Sequence, residues 1–595
     1  MKKTKALALF LAAVLAAGSL TGCGGGASEQ TTAPAAAPEQ TQAPAATAEQ
    51  TATEAAEPER TQGGTFVFPL NQDITSFNAI GTDVIPFRAI FDPLYIADEG
   101  EVRYYLADSY SVSDDGLEVT IKLKDNLKWH DGEPITADDI LFSFQVASMS
   151  WRNLDGQPVQ YEKVDDLTVK AILPMPNVVF PMKLGAVTIM PKHMFEGVTD
   201  VETYRQSASH QIGIGSGPYK VKQWNKGESI VLERFDDYYR GTAPFDTLIY
   251  KILPDENARE VAFQSGELSF KTIADELQYA RYSADSKYDT YLYDEHRVNF
   301  VGFNKNSAIT SDIRVRQAIT YALNQDEIVY GAFGEHLAKP ANSIFTPGNR
   351  YYDPNRSSYV QDVDKAKQLA DECGLTGKTI KLIYDTSYVG TGDAALLIQE
   401  QLKAIGVTVE VQGYDNTGFN TLFFSSTAGD WEMGIKNYPS AGDNSSPAYM
   451  FKQTSVLTAN AIISDETQAL WVAAEQEFDP VKRGELYAQI DDSVDADYML
   501  YRLSFPQVGI VSQKQFKGYE TLTRSPMFED WLNIYPVKYT AYTRKGWCGG
   551  TALPALFTVI GEKNEKVHLQ TPYTNAACFG GGVRGVLLPD QGGTR

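Results

Sequence analysis

SVSDDGLEVTIKLKDNLKWHDGEPITADDILFSF, from Ser111 to Phe144, reads as one strand, turn and helix in sequence. Apolar residues alternate with polar ones from Leu117 to Leu123 (Leu117, Val119, Ile121, Leu123), the period of a half-buried strand, and Asp114-Asp115-Gly116 ahead of it supplies a turn. After Asp131-Gly132-Glu133-Pro134, Thr136 and Asp139 stand at the spacing of a capping box. A helix opens there with Ile140, Phe144 and Ala147 on one face.

Farther along, Thr379 to Tyr384 reads as a strand, and Asp393 is the expected cap of a helix that turns Leu397, Ile398, Leu402 and Ile405 inward. Gly406 ends that helix, and Val407 to Val411 is a second strand. This is a βαβ unit. Right-handed crossover makes its strands parallel in one sheet, and open α/β sheets bind ligands in the crevice beyond the carboxyl ends of their strands. Asp312 opens another helix carrying Val315, Ile319, Ala322 and Leu323, and Cys373 closes one before Gly374, a position that suits core filling.

Four further stretches follow in order: GSGPYKVKQWNKGESIVLERFDDYY from Gly215, PDENAREVAFQSGEL from Pro254, VGFNKN from Val301 and DIRVRQAITYALNQDEI from Asp312. With the Ser111–Phe144 stretch they resemble the peptide/nickel class of ABC-transporter solute-binding proteins over roughly residues 64 to 540. The resemblance implies an α/β, type II periplasmic-binding-protein-like fold, with two main lobes plus a smaller extra lobe hinged around a central cleft. The first lobe would combine 64–94, 214–303 and 505–540, the small second lobe would be 95–213, and the far lobe 304–504. It further implies a receptor that captures a peptide or peptide-like solute by closing and delivers it to an ABC permease and ATPase complex. A nickel chelate, haem or oligosaccharide is the alternative cargo, because the family carries those solutes too, and a secreted hydrolase is the alternative outside the binding class. The chain is expected to act as a monomer, without cofactor.

In peptide receptors of this class, an Asp in a far-lobe loop receives the ligand's ammonium group. The matching stretch is WEMGIKNYPSAGDNSSPAYMF, from Trp431. Asp443 and Asn444 are the best match once one or two extra residues are accepted, with Tyr438 at the aromatic position. Without the insertion Asn437 takes the acid's place, and a neutral amide could not balance a buried positive charge. Trp431, Asn437 and Tyr438 are further candidates to line the pocket. The early ligand-contact loop of the family falls near Thr75, Ser76, Phe77 and Asn78, where its usual Leu-Asp-Pro is replaced by Phe77-Asn78-Ala79.

The two ends of the chain carry a different signal. Lys2, Lys3 and Lys5 precede an uncharged run from residue 6 to 22, short for a bilayer span but suited to an export signal. Leu20-Thr21-Gly22-Cys23 resembles the bacterial lipobox, so Cys23 is the expected lipidated N-terminus. The protein would then sit on the extracytoplasmic face of a bacterial cell membrane. Residues 24 to 62 have no aromatic residue and no Val, Ile, Leu or Met. Such a segment cannot offset chain entropy and reads as a disordered tether with a reach of roughly 30–40 Å. From 541 to 595 periodicity fades and Gly runs appear, and no role is assigned to this tail.

At 595 residues the chain exceeds what one core supports. Its net charge is -24, and setting aside the three leader lysines and the tether's six Glu and one Arg leaves -22 on the body. That sign excludes a phosphate-backbone binder, which needs clustered cations. Cys23, Cys373, Cys548 and Cys578 form no CxxC pair, and His130, His193, His210, His296, His336 and His568 form no pair at helical ligand spacing, so no metal site is expected. HExxH, GxSxG and Walker motifs are absent, and Gly213, Gly215 and Gly217 lack GxGxxG spacing. The sequence therefore points to a binding protein rather than an enzyme.

Overall fold

The computed structural model describes residues 58–539, apart from 79–85, 99–100, 148–151, 155, 426–428, 441, 454, 456–459 and 523–529. The leader, Cys23, most of the tether and the tail at 541–595 lie outside the described residues.

Three sheets organise the described chain. In the first, strands Tyr219–Asn225, Ser229–Arg234, Thr247–Ile252 and Thr65–Leu70 lie side by side, the last pair parallel. The second is wholly antiparallel, in the order Ala107–Val112, Glu118–Leu123, Thr168–Ile172, Gln160–Lys163. The third and largest runs Phe270–Thr272, Leu500–Gln513, Arg297–Phe303, Met433–Pro439, Thr379–Asp385, Thr408–Tyr414. Its last three strands are parallel, as the βαβ reading requires. The expected α/β class is what these elements build.

Each sheet buries its own apolar set. Val119, Ile121 and Leu123 enter a core with Trp129, Ile140 and Phe144, so the alternation and the helix stripe of the Ser111–Phe144 stretch converge on one interior. The Asp139 carboxylate accepts the Thr136 backbone N–H at 2.8 Å, completing the capping box. Asp312 caps Ile313–Ala322, and Gly406 at φ +73° stops the crossover helix. Cys373 is partly buried against the far-sheet core.

Two local expectations need correction. The crossover helix starts at Thr391, capped by Gly390 in the left-handed region, while Asp393 lies exposed inside its first turn. The Thr391 hydroxyl donates to the Asp385 carbonyl at 2.8 Å, which takes the start earlier than a carboxylate cap would. The tether also ends sooner than 62. Glu59–Arg60 pair antiparallel with Val537–Lys538, Arg60 donates to the Leu532 carbonyl at 2.9 Å, and its guanidinium lies 4.3 Å from the Tyr535 ring centre. Main-chain pairing orders these two residues without any apolar side chain.

The alternating glycines have a packing reason. A Cβ on Gly215 would fall 2.0 Å from the Ile90 carbonyl oxygen, and one on Gly217 would fall 2.6 Å from that of Ala89. His130 reaches across to the same segment, with Nδ1 accepting the Gly215 N–H at 3.1 Å and Nε2 facing the Gly217 carbonyl at 3.0 Å. Those contacts need a neutral ring, and burial pulls the His130 pKa down to about 4. Nearby, the buried Asp92 carboxylate accepts hydroxyls from Tyr238 at 2.7 Å and Tyr239 at 2.8 Å, and burial pushes its pKa up to about 6.

These two groups act on stability with opposite sign. Asp92 ionises above about pH 6 in the fold but near 3.8 when exposed, so its burial cost is absent below about pH 4 and fully present above pH 6. His130 takes up its proton near pH 6.5 when exposed and near 4 in the fold, so stability is lost as pH falls through that interval. Each amounts to about 3 kcal/mol, and the slopes oppose between pH 4 and 6. Urea unfolding at stepped pH should show Asp92→Asn losing stability on acidification from 6 to 4 more steeply than wild type. In the same series His130→Gln should gain on acidification relative to wild type. Parallel profiles for all three proteins would contradict this.

Candidate functional site

A cleft of about 270 Å³ lies between the second sheet and the far elements, with Val102, Tyr110 and Met182 on one wall and Arg350, Asp443, Phe478 and Arg483 on the other. The walls touch at its edge. The Val178 N–H donates to the Glu475 carbonyl at 2.9 Å. The Phe478 ring packs on Gly116, where an added Cβ would come within 2.6 Å of it and 3.2 Å of Pro176. Gly116 also holds φ +71°, so the turn read from Asp114-Asp115-Gly116 has a reason to end in glycine twice over.

Asp443 reaches the cleft at the end of the loop that follows strand Met433–Pro439. Both of its oxygens lie 2.5 Å from Arg483 Nη2, and Oδ1 also accepts the Ser445 N–H at 2.9 Å and the Tyr487 hydroxyl at 3.2 Å. Arg483 and Tyr487 belong to helix Pro480–Ala496, whose start is capped by Asp479. Burial alone would lower the Arg483 pKa, but the facing Asp443 and Tyr487 more than offset it and hold the guanidinium charged.

The other sequence candidates go elsewhere. Trp431 is buried and stacked on Phe423, with ring centres 5.3 Å apart. Tyr438 is fully buried and donates to the Ile344 carbonyl at 2.9 Å, so both rings fill core rather than face the cleft. Asn437 accepts from Arg297 Nη1 at 2.9 Å. Asn444 is buried beside Asp443, and its Oδ1 accepts the Tyr351 N–H at 3.0 Å. Phe77 packs on Trp224, and Asn78 accepts the Tyr204 hydroxyl at 2.8 Å. Sequence reasoning missed Arg350, Phe478 and Arg483. Arg483 stands forty positions from Asp443 on a separate helix, and nothing local in either stretch marks the pairing.

A second polar group gathers at the carboxyl ends of the parallel strands, where a crevice was expected. Lys436 donates to Asn420 at 2.9 Å, lies 3.6 Å from Asp385 and sits over the rings of Tyr388 and Phe419. Burial lowers the Lys436 pKa. Asp385 is fully buried and also accepts from Asn416 at 2.7 Å. Among the described residues no His, Cys, Asp or Glu cluster is placed to hold a metal ion, and no helix is long and apolar enough to cross a membrane.

Comparison with known proteins gives this geometry a lineage. Residues 101–458 match the family described as bacterial extracellular solute-binding proteins, family 5 middle. The oligopeptide-binding protein AppA of Bacillus subtilis is 30% identical over 392 residues, covering 59% of this chain and 69% of that protein. The ABC transporter substrate-binding protein CtaP of Listeria monocytogenes superposes with a TM-score of 0.74 at 29% identity, over 80% of this chain and all of that one. The structure of Bacillus subtilis AppA in complex with a nonapeptide shares the fold, with a TM-score of 0.67 at 24% identity, over 81% of this chain and all of that one. A family match across more than half the chain, on a fold shared over 80% of it with a solved ABC transporter substrate-binding protein, makes this protein a member of the family 5 bacterial extracellular solute-binding proteins.

Proposed function

We propose that the protein captures a peptide or peptide-like solute outside the cytoplasm and passes it, unaltered, to an ABC importer. The observation that carries this reading is the two-walled cleft, with Asp443, Arg350 and Arg483 on one side and the second sheet on the other. Its peptide-binding relatives supply the solute class. In this reading residues 95–213 and 304–504 are the lobes that close, and 64–94, 214–303 and 505–540 form the base. Asp443 is the sequence candidate that lines the cleft, Asn444 and Asn437 hold the neighbouring loop and strand through Tyr351 and Arg297, and the core positions of Trp431 and Tyr438 assign them to supporting the loop. A solute drives closure only if it prefers the closed form. The lipobox-like Cys23 and the composition of the tether favour a lipid anchor, with multiple acyl chains holding the receptor at the membrane surface.

Thermal unfolding with a mixed library of di- to nonapeptides should raise Tm, since a solute at about a hundred times its Kd adds about 2.7 kcal/mol. No shift with peptides, alongside a shift with nickel–histidine, haem or an oligosaccharide, would move the protein to another branch of cargo. Phe478→Ala should speed release of a bound solute about threefold to tenfold with little change in capture rate, because it removes a contact made only on closure. Stopped-flow release kinetics would show it. Expressed with its leader in a bacterial host, the wild-type chain should incorporate labelled palmitate and partition with membranes. Cys23→Ser should lose both properties, and retention of both would refute the anchor.

A further inference from the structure

We infer that the corner of the cleft at Asp443 receives a carboxylate of the solute on Arg350, with Asp443 serving as the fixed counter-ion of Arg483 rather than as an acceptor for a solute ammonium. This rests on the peptide reading above and names the polarity of the bound molecule.

Asp443 has little left to offer. Its side chain is 10% exposed and that of Arg483 7%, and the Arg483 guanidinium, the Tyr487 hydroxyl and the Ser445 N–H already converge on the carboxylate. The pair is electrically balanced before any solute arrives. Bringing an ammonium to it would leave one uncompensated positive charge in a poorly solvated corner, which is costly.

Arg350 is in the opposite situation. It lines the same cleft, is exposed, and among the described residues has no carboxylate within ion-pair distance. Its guanidinium lies 5.5 Å from the Tyr351 ring centre, and that of Arg483 lies 5.8 Å from the same ring, so both cations lie near one aromatic ring. The loop that carries Arg350 is fastened down. Asn349 donates to the Gly442 carbonyl at 2.8 Å and accepts the Ser440 hydroxyl at 2.7 Å, while Tyr351 is tied to Asn444. A guanidinium presented from a fixed loop into a cleft is suited to a planar carboxylate, which its parallel N–H groups match. The facing wall contributes Glu101, exposed and without an ion-pair partner among the described residues. A cationic group of the solute meets its free acid there, not at Asp443.

Two measurements test this separately. In the solute-free protein, Asp443→Asn and Arg483→Met should each lower Tm by about 5 °C, and the double variant should recover at least half of the loss, as for a buried pair broken from either side. A neutral or stabilising Asp443→Asn, the behaviour of an acid held open for a ligand, would overturn the pairing. For the solute, a tripeptide library is titrated in four forms: free, N-acetylated, C-amidated and capped at both ends. Amidation should weaken binding at least tenfold and acetylation less than threefold, and Arg350→Ala should erase the difference between free and amidated forms. Acetylation costing more than amidation would overturn the proposal. Binding by none of the four forms would overturn the peptide reading itself, and the stability cycle would still decide whether Asp443 belongs to Arg483.

Discussion

The main chain of one strand, Leu500–Gln513, holds the described molecule together. Its first residues pair with Gly302 to Asn299, and its later ones, from Gln507 to Gln513, pair with Asp294 to Tyr288. The two partners are consecutive strands of the chain, joined at a turn where His296 takes a positive φ of 52°. One side of this crossing belongs to the far-sheet core and the other to a core with Phe66, Phe68 and Tyr250, so two interiors share a continuous ladder. Between them Ser504 to Pro506 pair instead with Pro340 to Ala338. Pro506 brings no N–H to the ladder, and the register shifts between Asn299 and Phe300. Bending for the proposed closure is cheapest where those pairings change hands.

A buried arginine on this strand ties the cleft to it. Arg502 is 1% exposed, and its guanidinium meets Asp495 at 2.5 Å and Asp491 at 3.4 Å, while Arg356 engages Asp495 and Asp492. Removing one partner from such a group would strand a charge without solvent, so the helix Pro480–Ala496 is held firmly against the strand by several contacts at once. Arg483 lies on the first turn of that same helix. The position of the cation that occupies Asp443 is therefore set by charges near the helix's other end, not only by the loop it meets.

What could be read in the sequence was what adjacent residues decide. Thr136 with Asp139, Asp312, Gly406 and the parallel strands around the crossover helix all follow from spacing of a few residues, and their physics is local hydrogen bonding and a repeating apolar stripe. Distance in the chain hid the rest. Glu59–Arg60 are ordered by a strand more than four hundred residues away. Trp431 and Tyr438 looked like pocket aromatics from their motif, yet Trp431 just before strand Met433–Pro439 and Tyr438 on it, paired with Val298, are both needed as core. Asp443 was legible as an acid on the loop that reaches the cleft, and its partner Arg483 was not. A motif specifies which side chain points into a cleft but says nothing of the charge that another element brings to meet it.

The contacts at the edge of the cleft bear on how the protein can work. Among the described residues they include one backbone hydrogen bond, Val178 to Glu475, and one ring, Phe478, that remains 47% exposed. A net hydrogen bond contributes about 1 kcal/mol, and burying about half of a phenylalanine contributes about 1–2 kcal/mol. These two contacts together contribute about 2–3 kcal/mol before the entropy of fixing the walls is counted, too little by themselves to hold the cleft shut firmly. Moving a two-state balance from mostly open to mostly closed takes about 5.5 kcal/mol of differential affinity, well within the binding energy of a solute held at micromolar Kd. A weak latch of this kind leaves the decision to the solute: strong enough to define one closed geometry, and weak enough that an empty cleft gains little by adopting it.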